Sequence, residues 1–267
     1  MYLKRQFTGT MLLLIGGLGC CHAADTDKVP ENTPATGGTG NTSSKPNVLL
    51  IIMDDMRDWA QFLGANKQVS TPNLNRLAQQ GVWFQNTYCA APFSNPSRTA
   101  IFTGLQPFTT GIYNNNQQLQ HSTVVEGCVM MPEHFKTNGY TTLWSGKVFH
   151  NKPSNATIAK GWDDWECHDG GYGPWIKHSI IPANLNDGQW KNFEAWTGPD
   201  TDFPDVVNAN HVIDFLGKPH DKPFFIAMGF YRPHEPYTAP KRFFDQYDLN
   251  LIQRPPLLAN DLDDVPQ

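Results

Sequence analysis

Residues 48–53, VLLIIM, form an unbroken apolar run that ends on two aspartates. A run without polar alternation fits a strand buried on both faces, as in a parallel sheet. The stretch 224–230, FFIAMGF, has the same character, and 140–145, YTTLWS, reads as a shorter strand. Between these runs the spacing becomes helical. Thr71 and Pro72 stand as the N-cap and first residue of a helix that Gly81 closes. Residues 96–103 read as a helix stopped by Gly104, and 131–138 as a short helix with Gly139 at its end. Residues 204–216 place Val207, Ile213 and Leu216 at helical spacing, and Pro240 opens a further helix over 240–247. The aromatic and β-branched segment 82–88, VWFQNTY, predicts one more strand. Strands alternating with helices predict an α/β domain, with a mainly parallel sheet flanked by helices on both faces.

The rest of the chain has no such pattern. Lys4 and Arg5 followed by the apolar run 11–18 read as an export signal, too short to span a bilayer. Cleavage is expected after Ala23, giving a signal peptide of 1–23. A lipoprotein, lipidated at Cys20 or Cys21, is the rival reading. Either way the chain is expected to be exported, to the periplasm or beyond. Residues 24–45 are rich in Thr, Gly, Asn, Ser and Pro, which predicts a flexible linker. Residues 151–200, rich in Trp, Gly and Asn, read as a loop-rich insertion near the site or covering it. The aromatic content of 12% suits a packed core rather than a disordered chain. A net charge of −5 argues against a nucleic-acid partner, yet local cations can still hold an anion. Beyond the signal, Cys89, Cys128 and Cys167 allow one disulfide and one free thiol, with the pairing open.

In parallel α/β sheets, ligands gather at the carboxyl ends of the strands. Asp54 and Asp55 follow the first strand. An aspartate pair is most often a helix cap or a solvated turn, and Arg57 could pair with one of them. After a buried strand, two adjacent carboxylates also suit a hard cation such as Ca²⁺. Lys147 and His150 follow the strand at 140–145, and His234 follows the one at 224–230, between Pro233 and Pro236. Ser94 and Arg98 stand at the start of a helix, whose free N–H groups favour an anion. Together these residues describe a metal beside a cation-lined anion pocket, suited to hydrolysis of a phosphate or sulfate ester. They do not supply a nucleophile. Ser94 has no base nearby in sequence and no Gly-x-Ser-x-Gly elbow around it.

The segment 94–104, SNPSRTAIFTG, resembles the signature of the type I sulfatases, (Cys or Ser)-x-Pro-Ser-Arg followed by Thr-Gly. PNVLLIIMDDMR, TPNLNRLAQQGVWFQNTYC, TGLQPFTTGIY, SGKVFH and GFYRPHEPYTAPKRFFDQYD follow in that family's order. SGKVFH and RPHEP look most like its iduronate-2-sulfatase-like branch. The resemblance implies an alkaline-phosphatase/sulfatase-like fold, with 46–267 as the N-terminal part of the catalytic domain. It implies that Ser94 is converted to formylglycine by a radical-type maturase and touches the metal, and that Asp54 and Asp55 bind Ca²⁺. It further implies that Arg98 holds the nucleophile's charge, Lys147 contacts the sulfate, and His150 is the base that releases it. His234 would contact the sulfate or protonate the leaving alcohol. The expected substrate is a sulfated glycan. The family's later metal pair and lysine have no counterpart before the end at DLDDVPQ, so the fold is expected to be incomplete at its C-terminus. A non-catalytic remnant or glycan-binding fragment, and a phosphatase or phosphonate hydrolase of the same superfamily, are the alternatives.

Overall fold

The computed structural model describes residues 11–16, 45–150, 156–166, 171–174 and 193–254, together with 260 and 263. Its strands are β1 (Met11–Gly16), β2 (Val48–Asp54), β3 (Thr141–Gly146), β4 (Asp164–Glu166), β5 (Phe193–Trp196), β6 (Phe224–Pro233) and β7 (Tyr237–Pro240). The helices are α1 (Pro72–Gln80), α2 (Ser94–Thr103), α3 (Pro107–Thr110), α4 (Thr123–Gly127), α5 (Met131–Thr137), α6 (Ala156–Ala159), α7 (Pro204–Leu216) and α8 (Lys241–Phe244). The main sheet has the order β1-β2-β6-β3-β4, and every pairing except β1 with β2 is parallel.

The apolar runs are continuous because both faces of this sheet are covered. On one face, Leu50 and Ile52 of β2, Trp144 of β3 and Phe225 and Ala227 of β6 share a core with Phe102 of α2 and Val125 of α4. On the other, Leu143, Phe224, Ile226 and Met228 pack against Val212 of α7. Successive strand residues therefore serve opposite cores, as the period of two requires. Phe135 of α5 stacks on Phe225 with ring centroids 4.3 Å apart. Each large apolar side chain so buried stabilises the fold by about 1.5–3 kcal/mol.

Several expectations need correction. Residues 82–88 form no strand, and Val82, Phe84 and Tyr88 are exposed. Strand propensity builds a ladder only where a partner strand is in register, and no described residue pairs with this segment. The helix expected over 240–247 is confined to α8, because Tyr237–Pro240 pairs instead with Phe193–Trp196 as a two-stranded parallel sheet. The 151–200 segment is more than loop. It supplies α6, and β4 beside β3 in the main sheet, as well as β5. Thr71 does not cap α1 through its side chain; its hydroxyl accepts from the Gln61 N–H at 2.9 Å and meets Asn75 Oδ1 at 3.3 Å. α2 begins at Ser94, two residues earlier than expected.

The apolar run of the expected export signal lies as β1, antiparallel to β2 from Met11↔Met53 to Gly16↔Val48. It covers an edge of β2 that would otherwise present unpaired N–H and C=O groups. The remaining signal residues, with Cys20, Cys21 and Ala23, and the linker up to residue 44 lie outside the described residues, as does Cys167. Cys89 and Cys128 are both free thiols. Among the described residues no helix is long and apolar enough to cross a membrane.

Candidate active site

The carboxyl ends of β2, β3 and β6 meet at one point. The β2–β6 ladder runs regularly to Met53↔Phe230 and then skips to Asp54↔Pro233. The slip leaves Tyr231 and Arg232 outside the ladder, and the Asp205 carboxylate of α7 accepts both their backbone N–H groups, at 2.7 and 2.9 Å. At the end of β3, Gly146 pairs with Gly229 of β6, and the Lys147 N–H donates to the Gly229 carbonyl at 2.8 Å. A Cβ on Gly229 would lie 1.9 Å from the Lys147 carbonyl oxygen, so only glycine lets the chain turn Lys147 inward here. Asp55 takes a positive φ of 55°, which turns the chain sharply after Asp54.

Asp54, Arg98 and Lys147 form a buried triad. Arg98 Nη2 donates to Asp54 Oδ1 at 3.0 Å, and Lys147 Nζ donates to Asp54 Oδ2. Arg98 Nη1 also donates to the carbonyls of Lys147 and Val148, which ties α2 to the end of β3. Burial works to raise the Asp54 pKa, but the two cations outweigh it and hold the carboxyl below the usual carboxylate range. Burial, with repulsion from Arg98, outweighs Asp54 and pulls the Lys147 ammonium below the usual lysine range. One carboxylate thus serves two cations, leaving an excess of positive charge beside the cavity.

His150 follows on the same turn. Burial, then the charges of Lys147 and Arg98, push its imidazole down to about 4. Its buried Nδ1 has no hydrogen-bond partner among the described residues. A neutral ring at neutral pH can accept a proton. An NMR titration should therefore place the His150 midpoint about two units or more below the ordinary histidine value. The unfolded chain takes up this proton first on acidification, so the group favours unfolding as pH falls from the ordinary value towards 4. A midpoint near 6.5 would show that burial and the charges of Lys147 and Arg98 do not act on His150 in this way.

A cavity of about 290 Å³ opens in front of the triad, lined by Asp54, Asp55, Ser94, Ser97, Asn115 and His234. Ser94 is the first residue of α2, and the cap position before it is Phe93, which offers no side-chain bond. Asn115 Oδ1 accepts the Asn95 N–H at 2.9 Å, and Asn95 Nδ2 donates to the carbonyls of Asn114 and Gln117. The start of α2 is thus held by the 114–117 loop. His234 Nδ1 faces the Glu235 carbonyl at 2.7 Å and must donate to it, leaving Nε2 3.5 Å from the Asp55 carboxylate.

All the candidate residues therefore converge. Asp54, Asp55, Ser94 and His234 reach the cavity, with Arg98, Lys147 and His150 behind it. Sequence reading missed Asn115, Asp205, Tyr172 and Arg232. The last stands beside the quoted His234, and its guanidinium donates to the Thr238 side chain and carbonyl and to the carbonyls of Tyr172 and Gly173.

The carboxylates at the cavity bear on whether Ca²⁺ can be held here. The oxygens are of the right hard type, but Ca²⁺ takes six to eight of them. Among the described residues no group of three or more His, Cys, Asp or Glu is placed to hold a metal. Both Asp54 oxygens are already engaged by Arg98 and Lys147. The described residues do not make a Ca²⁺ site by themselves.

Residues 46–251 match the family described as Sulfatase. A sulfatase of Formosa agariphila is 36% identical over 235 residues, covering 83% of this chain and 46% of that protein. Human iduronate 2-sulfatase is 30% identical over 236 residues, covering 81% and 40%. The chain thus spans less than half the length of these relatives. Among solved structures, BT4656 in complex with D-glucosamine-2-N,6-O-disulfate is similar with a TM-score of 0.53 at 24% identity, covering 81% of this chain and 40% of that one. The phosphonate monoester hydrolase of Agrobacterium radiobacter is similar with a TM-score of 0.52 at 21% identity, covering 74% and 44%. At these identities the structures speak for the fold alone: the mainly parallel sheet with flanking helices is the alkaline-phosphatase/sulfatase fold. With its match running from the first buried strand through the 94–104 signature to the loop beyond His234, the chain belongs to the sulfatase family.

Proposed function

We propose that this chain is the catalytic part of an exported sulfuric ester hydrolase that removes sulfate from a sulfated glycan. One observation carries the reading: Ser94 opens α2 onto the cavity shared with Asp54, Asp55 and His234, with two buried cations directly behind. Converted to formylglycine by a maturase, position 94 would supply a hydrated aldehyde as nucleophile. The position fits that group, because the side chain faces the cavity and the buried charge behind it is net positive. Arg98 and Lys147 offset the negative charge of the sulfuryl group. His150, neutral and with a free lone pair, takes up the proton that must leave before sulfate departs. His234, which lines the same cavity, would contact the sulfate or protonate the leaving alcohol. Ca²⁺ enters only as the resemblance implies. Asp54, Asp55 and Ser94 would be its donors here, and ligands outside the described residues would have to complete the shell.

The 30% identity to human iduronate 2-sulfatase, with the SGKVFH and YRPHEP segments, supports an iduronate-2-sulfatase-like substrate. The similarity to a phosphonate monoester hydrolase keeps the phosphorus chemistry in view. Against it stands the Pro96-Ser97-Arg98 sequence after Ser94, which matches the sulfatase signature. The cation-backed cavity also suits a second reading, binding of a sulfated glycan without turnover.

The test is co-expression with a radical-type maturase, followed by turnover of 4-methylumbelliferyl sulfate, phosphate and phenylphosphonate esters. Sulfate turnover is expected to be fastest, and the peptide containing residue 94 should be lighter by two hydrogens. Faster phosphate or phosphonate turnover would sink the sulfatase reading. Full conversion at position 94 with no turnover, but with binding to a sulfated glycan, would establish the second reading.

A further inference from the structure

Tyr172 lies in the 151–200 segment, where no sulfatase motif is matched, yet it reaches the buried triad. The Lys147 ammonium donates to its hydroxyl and lies 4.6 Å from the centre of its ring. The Tyr231 ring stands 5.8 Å from the same ammonium. Tyr172 packs edge-on against Tyr231 at 5.1 Å and lies tilted against the His234 ring at 4.9 Å. Burial, reinforced by Asp54, pushes its hydroxyl above the ordinary tyrosine range, so it remains a neutral phenol that can accept from the ammonium.

The loop carrying this ring is itself fixed. Arg232 Nη2 donates to the Tyr172 carbonyl at 2.7 Å and to the Gly173 carbonyl at 3.1 Å. A Cβ on Gly171 would lie 2.1 Å from the Tyr231 ring, so the loop seats against β6 only with glycine there. A lysine side chain is a flexible stem with three N–H donors. Among the described residues Asp54 accepts one and Tyr172 another, which leaves one for an oxygen of a bound anion.

We propose that Tyr172 is a positioning residue for Lys147: its hydroxyl and ring seat the ammonium against Asp54 behind the cavity, and Arg232 latches the loop that carries it. The seating is independent of the reaction, whereas its effect on catalysis rests on the sulfatase reading. The two are tested separately on the full chain. A buried, hydrogen-bonded ammonium exchanges slowly with water and gives a side-chain ¹H–¹⁵N signal, which Lys147→Gln would assign by its loss. That signal should shift or broaden in Tyr172→Phe and in Arg232→Gln, and stay unchanged in Tyr140→Phe, with all folds checked by circular dichroism. An unmoved signal in Tyr172→Phe overturns the proposal, whether or not the chain turns over. Should Arg232→Gln fail to fold, Tyr172→Phe alone decides.

With a sulfate monoester, Tyr172→Phe should raise KM about tenfold, as one charge-assisted hydrogen bond to the sulfate-binding group is loosened, with kcat little changed. A merely structural role would lower the active fraction, and thus kcat, at constant KM. That opposite split would also overturn the proposal. Absence of turnover in the unsubstituted chain would count against the sulfatase reading and leave the NMR result to decide Tyr172.

Discussion

Replacing Asp54 with alanine should cost the folded chain about 3–5 kcal/mol, read as a fall in the urea midpoint. Asp54 is 1% exposed, and its partners Arg98 and Lys147 are 0% and 3% exposed. The substitution removes one anion and strands two like charges in the interior. A loss of that size is a large part of the 5–15 kcal/mol that holds a typical domain together. Asp54→Asn should cost less, because the amide oxygen still accepts one donor. Adding Lys147→Met to Asp54→Ala should restore part of the loss, since one of the two unpaired charges is then gone. The pH dependence has a definite sign. The folded pKa of Asp54 lies below its unfolded value, so its contribution is complete above the unfolded value and disappears as pH falls through the folded one. The Asp54→Ala variant should therefore lose less stability than the parent on acidification through that window. An unchanged urea midpoint at neutral pH would show that the triad is not buried as described.

The parts of this arrangement that were legible in the sequence share one physical property. The runs at 48–53 and 224–230 are apolar at every position because each strand serves two cores, and that pattern needs no knowledge of neighbours. The strand-end rule then picked out Asp54, Asp55, Lys147, His150 and His234, and the helix start picked out Ser94 and Arg98. What could not be read depends on partners distant in the chain. Residues 82–88 have strand composition but no strand beside them. Pro240 reads as the opening of a helix over 240–247, but it ends the strand Tyr237–Pro240 that pairs with Phe193–Trp196. Tyr172 and Arg232 are 60 residues apart, and only folding brings the guanidinium onto the loop carbonyls. The Gly170-Gly171-Tyr172-Gly173-Pro174 string was a weak local signal, since clustered glycines mark close backbone approach as well as simple turns. The pairing of Gly146 with Gly229 was visible only as two glycines ending two strands.

Ser94→Ala should lower sulfate ester turnover by on the order of 10³-fold or more while leaving the fold nearly unchanged. The contrast with Asp54 follows from position. Ser94 borders the cavity at the first turn of α2, where the cap residue is Phe93 and the helix start is held by Asn115 through the Asn95 N–H. Its hydroxyl is not needed to close the helix, so removing it should shift stability by no more than about 0.5 kcal/mol. Its chemical consequence is different in kind, because alanine cannot be oxidised to an aldehyde and the pocket then holds no nucleophile. Arg98, Lys147 and His150 remain in place in this variant, so affinity for inorganic sulfate should persist even as turnover vanishes. Paired measurements of turnover and of sulfate binding by calorimetry therefore separate the nucleophile from the anion pocket. Full turnover by Ser94→Ala would place the nucleophile elsewhere and reduce the 94–104 signature to a helix start that braces Arg98. Loss of sulfate binding together with turnover would instead mean that position 94 helps to shape the pocket as well as to attack the ester.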